Sequence, residues 1–189
     1  MRSTYRAHPG PTCSMSLRDL LADPAGLLVQ GITGRQGRME VEWMQASGVK
    51  VAAGVTPGRG GDEVHGVPVY DSVREARVHH KCVVSMSYAP PPSAADSAIE
   101  AVESGILLAV LSAERVPLHR MLRAIERANR LGARIVGPNS QGIMIPGVGR
   151  VGCPGGRDPE VRFQPGPVGV VSRSGGMASE IAMLIRSWG

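Results

Sequence analysis

The amino-acid sequence predicts an α/β fold, a doubly wound and mainly parallel sheet with helices on both faces. Short apolar runs alternate with longer amphipathic stretches at the spacing of strand–helix–strand units. A glycine-rich turn, Gly31-Ile32-Thr33-Gly34-Arg35-Gln36-Gly37, joins the first apolar run to the first long amphipathic one. Right-handed crossovers between such units put helices on both faces and ligands at the carboxyl ends of the strands.

The elements follow in order. Leu27–Gln30 reads as a buried strand, and residues 36–47 as a helix with Met39, Val41, Trp43 and Met44 at its apolar positions. Residues 49–55 form a second strand that ends in the turn Thr56-Pro57-Gly58-Arg59-Gly60-Gly61. Val67–Tyr70 is a short strand and residues 72–78 a helix. Residues 82–87 are the next strand, closed by Pro90-Pro91-Pro92. Residues 93–104 have helical spacing, with Gly105 as the stop. Residues 107–111 are a strand. Residues 117–131 are a helix opened by Pro117, with Met121, Leu122, Ile125 and Leu131 along one side and Gly132 beyond it. Arg134–Val136 returns as a strand into Gly137-Pro138-Asn139, and no internal repeat is present.

These elements make a Rossmann-type domain over residues 16–146. Residues 146–167 are rich in glycine and proline and read as a linker or long loop. Residues 168–171 read as a new strand, leading through Ser172-Arg173-Ser174-Gly175-Gly176 into a helix over 177–188. One strand and one helix bury no core of their own, so 147–189 reads as a linker and the incomplete start of a second α/β domain. Residues 1–15 read as a flexible leader. Arg2, Ser3, Thr4, Arg6 and Ser14 without an acid are compatible with a transit peptide, which would mean mitochondria. Met15, however, is a natural start for the first element, and an over-long gene start or a floppy leader on a cytoplasmic protein is the preferred reading.

Composition narrows the function classes. With 42% hydrophobic residues the chain can bury a core, and with 3% aromatics that core is built from Val, Ile, Leu, Ala and Met. Few aromatics and no basic run argue against a nucleic-acid partner. The net charge of +5, mostly arginine, suits a phosphate-bearing small ligand and equally an ordinary surface. Cys13, Cys82 and Cys153 lie far apart, with neither a disulfide framework nor metal-ligand spacing, so a reducing compartment and no metal are expected. No run of 18 apolar residues indicates a membrane span.

The glycines of the first turn permit a tight bend and close approach of backbone N–H groups to a phosphate, which a helix N-terminus favours. Their spacing is GxxGxxG, and a plain glycine turn competes with this reading. NAD-binding domains place an acid about 20 residues further on. Here the second strand runs out into Val55-Thr56-Pro57-Gly58-Arg59. An arginine there favours a ribose carrying its own phosphate, in coenzyme A or NADP, and the residues alone leave both open. For Ser172–Gly176 the residues alone favour an N-cap and turn.

VQGITGRQG, GVTPGRGG, GVPVYDSVREA, the Tyr88-Ala89-Pro90-Pro91-Pro92 segment, IVGPNSQGIMIPG and GPVGVVSRSGG, in this order, resemble the succinyl-CoA synthetase alpha subunits of the acyl-CoA synthetase superfamily. The resemblance runs from about Leu27 to Gly189. It implies that coenzyme A is held by a phosphate-cradling loop of Thr33, Gly34, Arg35 and Gln36. Arg59 stands for a CoA-contacting lysine, and Ser112, Ala113 and Glu114 match a strand end beside the ligand. It also implies that Asn139, Gly142, Ser174, Gly175 and Gly176 belong to a pocket receiving a phosphohistidine, where backbone donors suit a phosphoryl group.

The resemblance implies a nucleotide-dependent acid–CoA ligase of the tricarboxylic acid cycle type, with a carboxylic acid substrate and an ATP-grasp beta subunit in a hetero-oligomer. Two departures matter. Gly137-Pro138-Asn139-Ser140-Gln141-Gly142 replaces GPNCPG, and residues 172–180 read SRSGGMASE in place of SRSGTLTYE, with Ser179 where tyrosine is usual. The second is closer to the ATP-citrate lyase branch and puts succinate in doubt. The family's phosphorylated histidine sits in a GHAGA-like motif, and none of His8, His65, His79, His80 or His119 does. No catalytic residue is therefore assigned, and this chain is expected not to run the relay alone. The other readings are a stand-alone, non-catalytic CoA-binding module and an NADP-binding oxidoreductase domain. The latter is disfavoured because no catalytic Tyr-Lys pair is visible and Lys50 and Lys81 are the only lysines.

Overall fold

A computed structural model describes residues 15–188, so the expected leader, Met15 aside, lies outside the described residues. In chain order the elements are α1 (Leu17–Leu21), β1 (Leu27–Gln30), α2 (Arg35–Ala46), β2 (Val51–Val55), β3 (Glu63–Val64), β4 (Val67–Tyr70), α3 (Val73–His79), β5 (Val84–Ser87), α4 (Pro91–Glu103), β6 (Leu108–Leu111), α5 (Leu118–Arg130), β7 (Arg134–Val136), β8 (Gly142–Ile145), β9 (Gly149–Gly152) and α6 (Gly175–Ser187). Seven strands form one sheet in the order β3-β4-β2-β1-β5-β6-β7, parallel except for the β3–β4 pair. β1, β5 and β6 are buried along their whole length, as central strands covered on both faces must be. The chain winds from β1 through β2 to β4, then returns to β5 on the other side of β1 and continues to β6 and β7. The direction reverses between β1 and β5, the place where open α/β sheets take ligands.

Each face has its own apolar core. On one side α3, α4 and α5 cover the sheet, with Ala94, Ala98, Ala101, Ala124 and Ala128 in the interior. These small side chains let α4 and α5 pack closely. That explains a departure from the expected α5: Met121, Ala124 and Ala128 face the core, whereas Leu122, Ile125 and Leu131 turn outward, 54%, 38% and 42% exposed. On the other side α1 and α2 cover it, with Leu20, Ile32, Val41 and Met44 buried against Val29, Val84 and Met86.

Two features were not expected. β3 pairs with β4 across His65-Gly66, both with positive φ, in the left-handed conformations of a tight hairpin turn. β8 and β9 form a second antiparallel hairpin. The boundary placed after residue 146 falls inside it, and Val151 and Cys153, in the stretch read as a linker, are buried in the core beneath α2.

The strand expected at 168–171 is not formed. This corrects the sequence reading. A strand exists only through a ladder partner, and Val168 and Val171 are 58% and 102% exposed with none beside them. The helix expected after it is present as α6. Its N-cap Ser174 accepts from the Met177 N–H, and its apolar Met177, Leu184 and Trp188 are exposed.

Candidate functional site

The glycine turn lies at the reversal point of the sheet. Gly31, with φ of +73°, turns the chain out of β1, and a Cβ there would stand 3.1 Å from the Tyr88 carbonyl carbon. Gly37 is in the first turn of α2, and a Cβ on it would stand 2.4 Å from the Gly31 carbonyl oxygen. The glycines therefore bring β1, the end of β5 and the start of α2 together. Gly34 is the N-cap of α2 and supplies no side-chain acceptor, and the first turn contains no acid. The N–H groups at this helix start are left for an anion. Gly34 and Arg35 are exposed.

The loop is tied sideways to β2. The Thr33 hydroxyl lies 3.2 Å from Thr56 Oγ1, and Arg38 Nε donates to the Thr33 carbonyl at 3.0 Å. Thr56 also opens the turn that carries Arg59, whose N–H donates to the Thr56 carbonyl at 3.0 Å, with Gly58 at φ of +75°. Arg59 is not a free cation: its guanidinium meets Asp62 at 2.6 Å, with the two side chains 53% and 39% exposed. An exposed pair of this kind is worth only ~0–1 kcal/mol, so a phosphate can compete for the guanidinium.

Beside the loop a polar cleft of about 530 Å³ brings together several of the residues singled out from the sequence. Gln36, Ser112, Glu114, Asn139, Ser174 and Gly175 line it. Ser112 is fixed at the end of β6 by two hydrogen bonds to the Ser87 carbonyl, from N–H at 3.0 Å and from Oγ at 3.1 Å. Asn139, at φ of +58°, donates its N–H to the Ala113 carbonyl at 2.7 Å. The cleft thus runs from the first turn of α2, past the end of β6, to the first turn of α6.

The remaining candidates are placed otherwise. Thr33, Gly34, Arg35 and Arg59 are outside the cleft lining, and so are Ala113, Gly142 and Gly176. Gly142 has φ of +126° and pairs with Gly152, and a Cβ on it would fall 2.0 Å from the Val151 carbonyl oxygen. Its glycine identity is demanded by the hairpin. Among the described residues no group of three or more His, Cys, Asp and Glu side chains could hold a metal ion, and no helix is long and apolar enough to cross a membrane.

Sequence reasoning missed Glu40 and Cys153, which line the cleft, and Tyr88, which reaches Glu40 from outside the lining. Glu40, 9% exposed, accepts from Gln36 Nε2 at 2.9 Å on one carboxylate oxygen and from the Tyr88 hydroxyl at 2.7 Å on the other. Cys153 Sγ donates to the Glu40 carbonyl at 3.6 Å. Burial and the Glu40 carboxylate push the Tyr88 hydroxyl far above the ordinary tyrosine range. The same two causes push the Cys153 thiol up to about 12. Tyr88 is therefore a fixed neutral donor and Cys153 an inert thiol. The Gln36–Glu40 spacing of four residues on one helix was a readable signal. The contacts of Tyr88 and Cys153 across the fold left none.

Residues 23–115 match the CoA binding domain family. The chain is 46% identical over 156 residues to the alpha subunit 2 of an ADP-forming succinate–CoA ligase of Archaeoglobus fulgidus, covering 82% of this chain and 53% of that protein. It is 36% identical over 174 residues to a malate–CoA ligase alpha subunit of Methylorubrum extorquens, covering 90% of this chain and 57% of that one. It spans about half the length of the curated relatives it matches. In fold it is similar to the ATP citrate lyase of Methanothrix soehngenii, solved with citrate and coenzyme A, with a TM-score of 0.75 at 23% identity over 90% of this chain and 30% of that one.

Proposed function

Because residues 23–115 of this chain are a CoA-binding domain, of the kind carried by succinate–CoA ligase alpha subunits, we propose that it forms the CoA-binding portion of an ADP-forming acid–CoA ligase. The observation that carries the proposal is the uncapped start of α2, set at the sheet's reversal point and opening beside the cleft that ends at α6. The residues fit the ligand: a glycine cradle for a diphosphate, an arginine on the adjoining turn for the 3′-phosphate, and a polar cleft for the arm that carries the thiol. When bound, coenzyme A would supply the thiol that becomes the thioester. This chain's own part is to hold it.

On this proposal the acid is a carboxylate, and SRSGGMASE in place of SRSGTLTYE argues for one other than succinate. The phosphohistidine would be presented to Asn139, Ser174 and Gly175 by a segment or chain outside these residues. An ATP-grasp beta subunit would complete a hetero-oligomer in the cytoplasm, serving a step of the tricarboxylic acid cycle type. The exposed apolar side chains of α6 and the unpaired 168–171 segment are consistent with the start of a second ligase domain. The NADP-binding and stand-alone readings are not favoured, since the relatives are alpha subunits of CoA ligases.

Calorimetry on the 189-residue chain with CoA, 3′-dephospho-CoA, NADP and NAD tests the proposal. CoA is expected to bind, and loss of the 3′-phosphate to weaken it by about tenfold, ~1.4 kcal/mol, for a charge-assisted contact to an exposed arginine. Arg59→Ala should erase that difference. Preference for NADP would overturn the proposal.

A further inference from the structure

Tyr88 and Glu40 carry no role in the site as read from sequence, yet they control what Gln36 shows to the cleft. We propose that Tyr88 and Glu40 are positioning residues that lock the Gln36 carboxamide with its carbonyl oxygen toward the cleft, as the acceptor for an amide N–H of the pantetheine arm. The proposal rests on the CoA reading above.

The polarity of the chain of hydrogen bonds is fixed from its buried end. Tyr88 sits one residue beyond β5, at the reversal point, and its own N–H is spent on the Gln30 carbonyl at 2.9 Å. Its hydroxyl, held neutral, can only donate to Glu40 Oε2. The other carboxylate oxygen then accepts a hydrogen bond from Gln36 Nε2, which obliges the glutamine to turn its NH₂ inward. Besides the second NH₂ hydrogen, the group left for the cleft is the glutamine carbonyl, an acceptor backed by a buried carboxylate. Such a surface favours ligand N–H donors and disfavours anionic groups. The arm of CoA offers two amide N–H groups, whereas the diphosphate belongs to the helix start on the other side of Gln36. The lock therefore separates the two ends of the ligand: phosphates at the backbone N–H groups, amides at the Gln36 carbonyl.

A purely structural role for the pair would affect every ligand of the loop alike, and the test uses this difference. The 189-residue chain is titrated with CoA and with adenosine 3′,5′-bisphosphate, which has the nucleotide end without the pantetheine arm. Tyr88→Phe removes the donor while keeping the ring, and Glu40→Gln lets the Gln36 amide turn over. Each is expected to weaken CoA three- to tenfold, the range of a single hydrogen bond in a partly buried site, and to leave the bisphosphate unchanged. In the background of Gln36→Ala, where the presented group is gone, Tyr88→Phe should have no further effect on CoA. Equal losses for both ligands, or additive losses in the double variant, would overturn the proposal. So would unaltered CoA affinity in Tyr88→Phe with its folded spectrum intact. A wild-type chain that binds no CoA would instead overturn the CoA reading itself, and this proposal with it.

Discussion

Replacing Gly37 by alanine is expected to unfold part of the loop, whereas the same change at Gly34 is expected to leave the fold and remove the ligand. At Gly37 the added Cβ falls 2.4 Å from the Gly31 carbonyl oxygen, 2.9 Å from Ile32 Cα and 3.0 Å from the Ile32 carbonyl oxygen. All three are backbone atoms, so relief requires α2 to move away from the turn. Val41 and Met44 hold α2 against the sheet, each fully buried, and resist that movement. Overpacking of this kind costs about 1–3 kcal/mol, and contact with rigid backbone puts Gly37→Ala near the upper end. For a chain of this size that lowers the melting midpoint by about 5–10 °C. At Gly34 the only neighbour of an added Cβ is the Gly31 carbonyl oxygen at 3.3 Å, and φ is −68°, which alanine adopts freely. Gly34→Ala should cost about 1 kcal/mol or less, the difference between the two residues as N-caps. On the phosphate-cradle account the added methyl at the N-cap narrows the approach of a phosphate to the first-turn N–H groups, so CoA affinity is expected to fall. Urea unfolding followed by circular dichroism gives the stabilities, and calorimetry with CoA gives the affinities. A Gly37→Ala chain as stable as the parent would refute the packing account. Undiminished CoA binding by Gly34→Ala would refute the phosphate-cradle account.

Two further outcomes are expected. Gly142→Ala places a Cβ 2.0 Å from the Val151 carbonyl oxygen at a φ of +126°, so the β8–β9 hairpin should open and the chain lose about 3 kcal/mol or more. Proteolysis between residues 142 and 153 without that sensitivity in the parent would report it, and a fully protected variant would show that the hairpin tolerates the change. The Cys153 thiol, raised from 9.0 to about 12, is neutral in the fold and ionises earlier in the unfolded chain. Its contribution to stability is whole below the unfolded value and is lost as pH rises from about 9 to 12. Cys153→Ala should flatten that alkaline loss, and peptide-mapped alkylation of the native parent at pH 8 should leave Cys153 unmodified. Rapid labelling there would contradict its burial.

The sequence by itself determined what depends on neighbours in the chain. Apolar runs between amphipathic stretches set the parallel sheet, and Gly31 to Gly37, standing between a strand and a helix, marked the tight turn that opens α2 because such turns are local. The lack of an acid after the second strand likewise pointed to a phosphorylated ribose. Contacts between distant segments were decided only by the tertiary structure. The outward turn of Leu122 and Ile125 follows from alanines of α4 packing against those of α5, which no periodicity within α5 records. Val168–Val171 has a strand's composition but no ladder partner. Gly142 owes its identity to Val151 across a hairpin. Glu40 became a buried carboxylate because Tyr88, 48 positions away, delivers its hydroxyl to it. Burial of a charge is settled by which groups arrive to hydrogen-bond it, and that is a property of the folded chain.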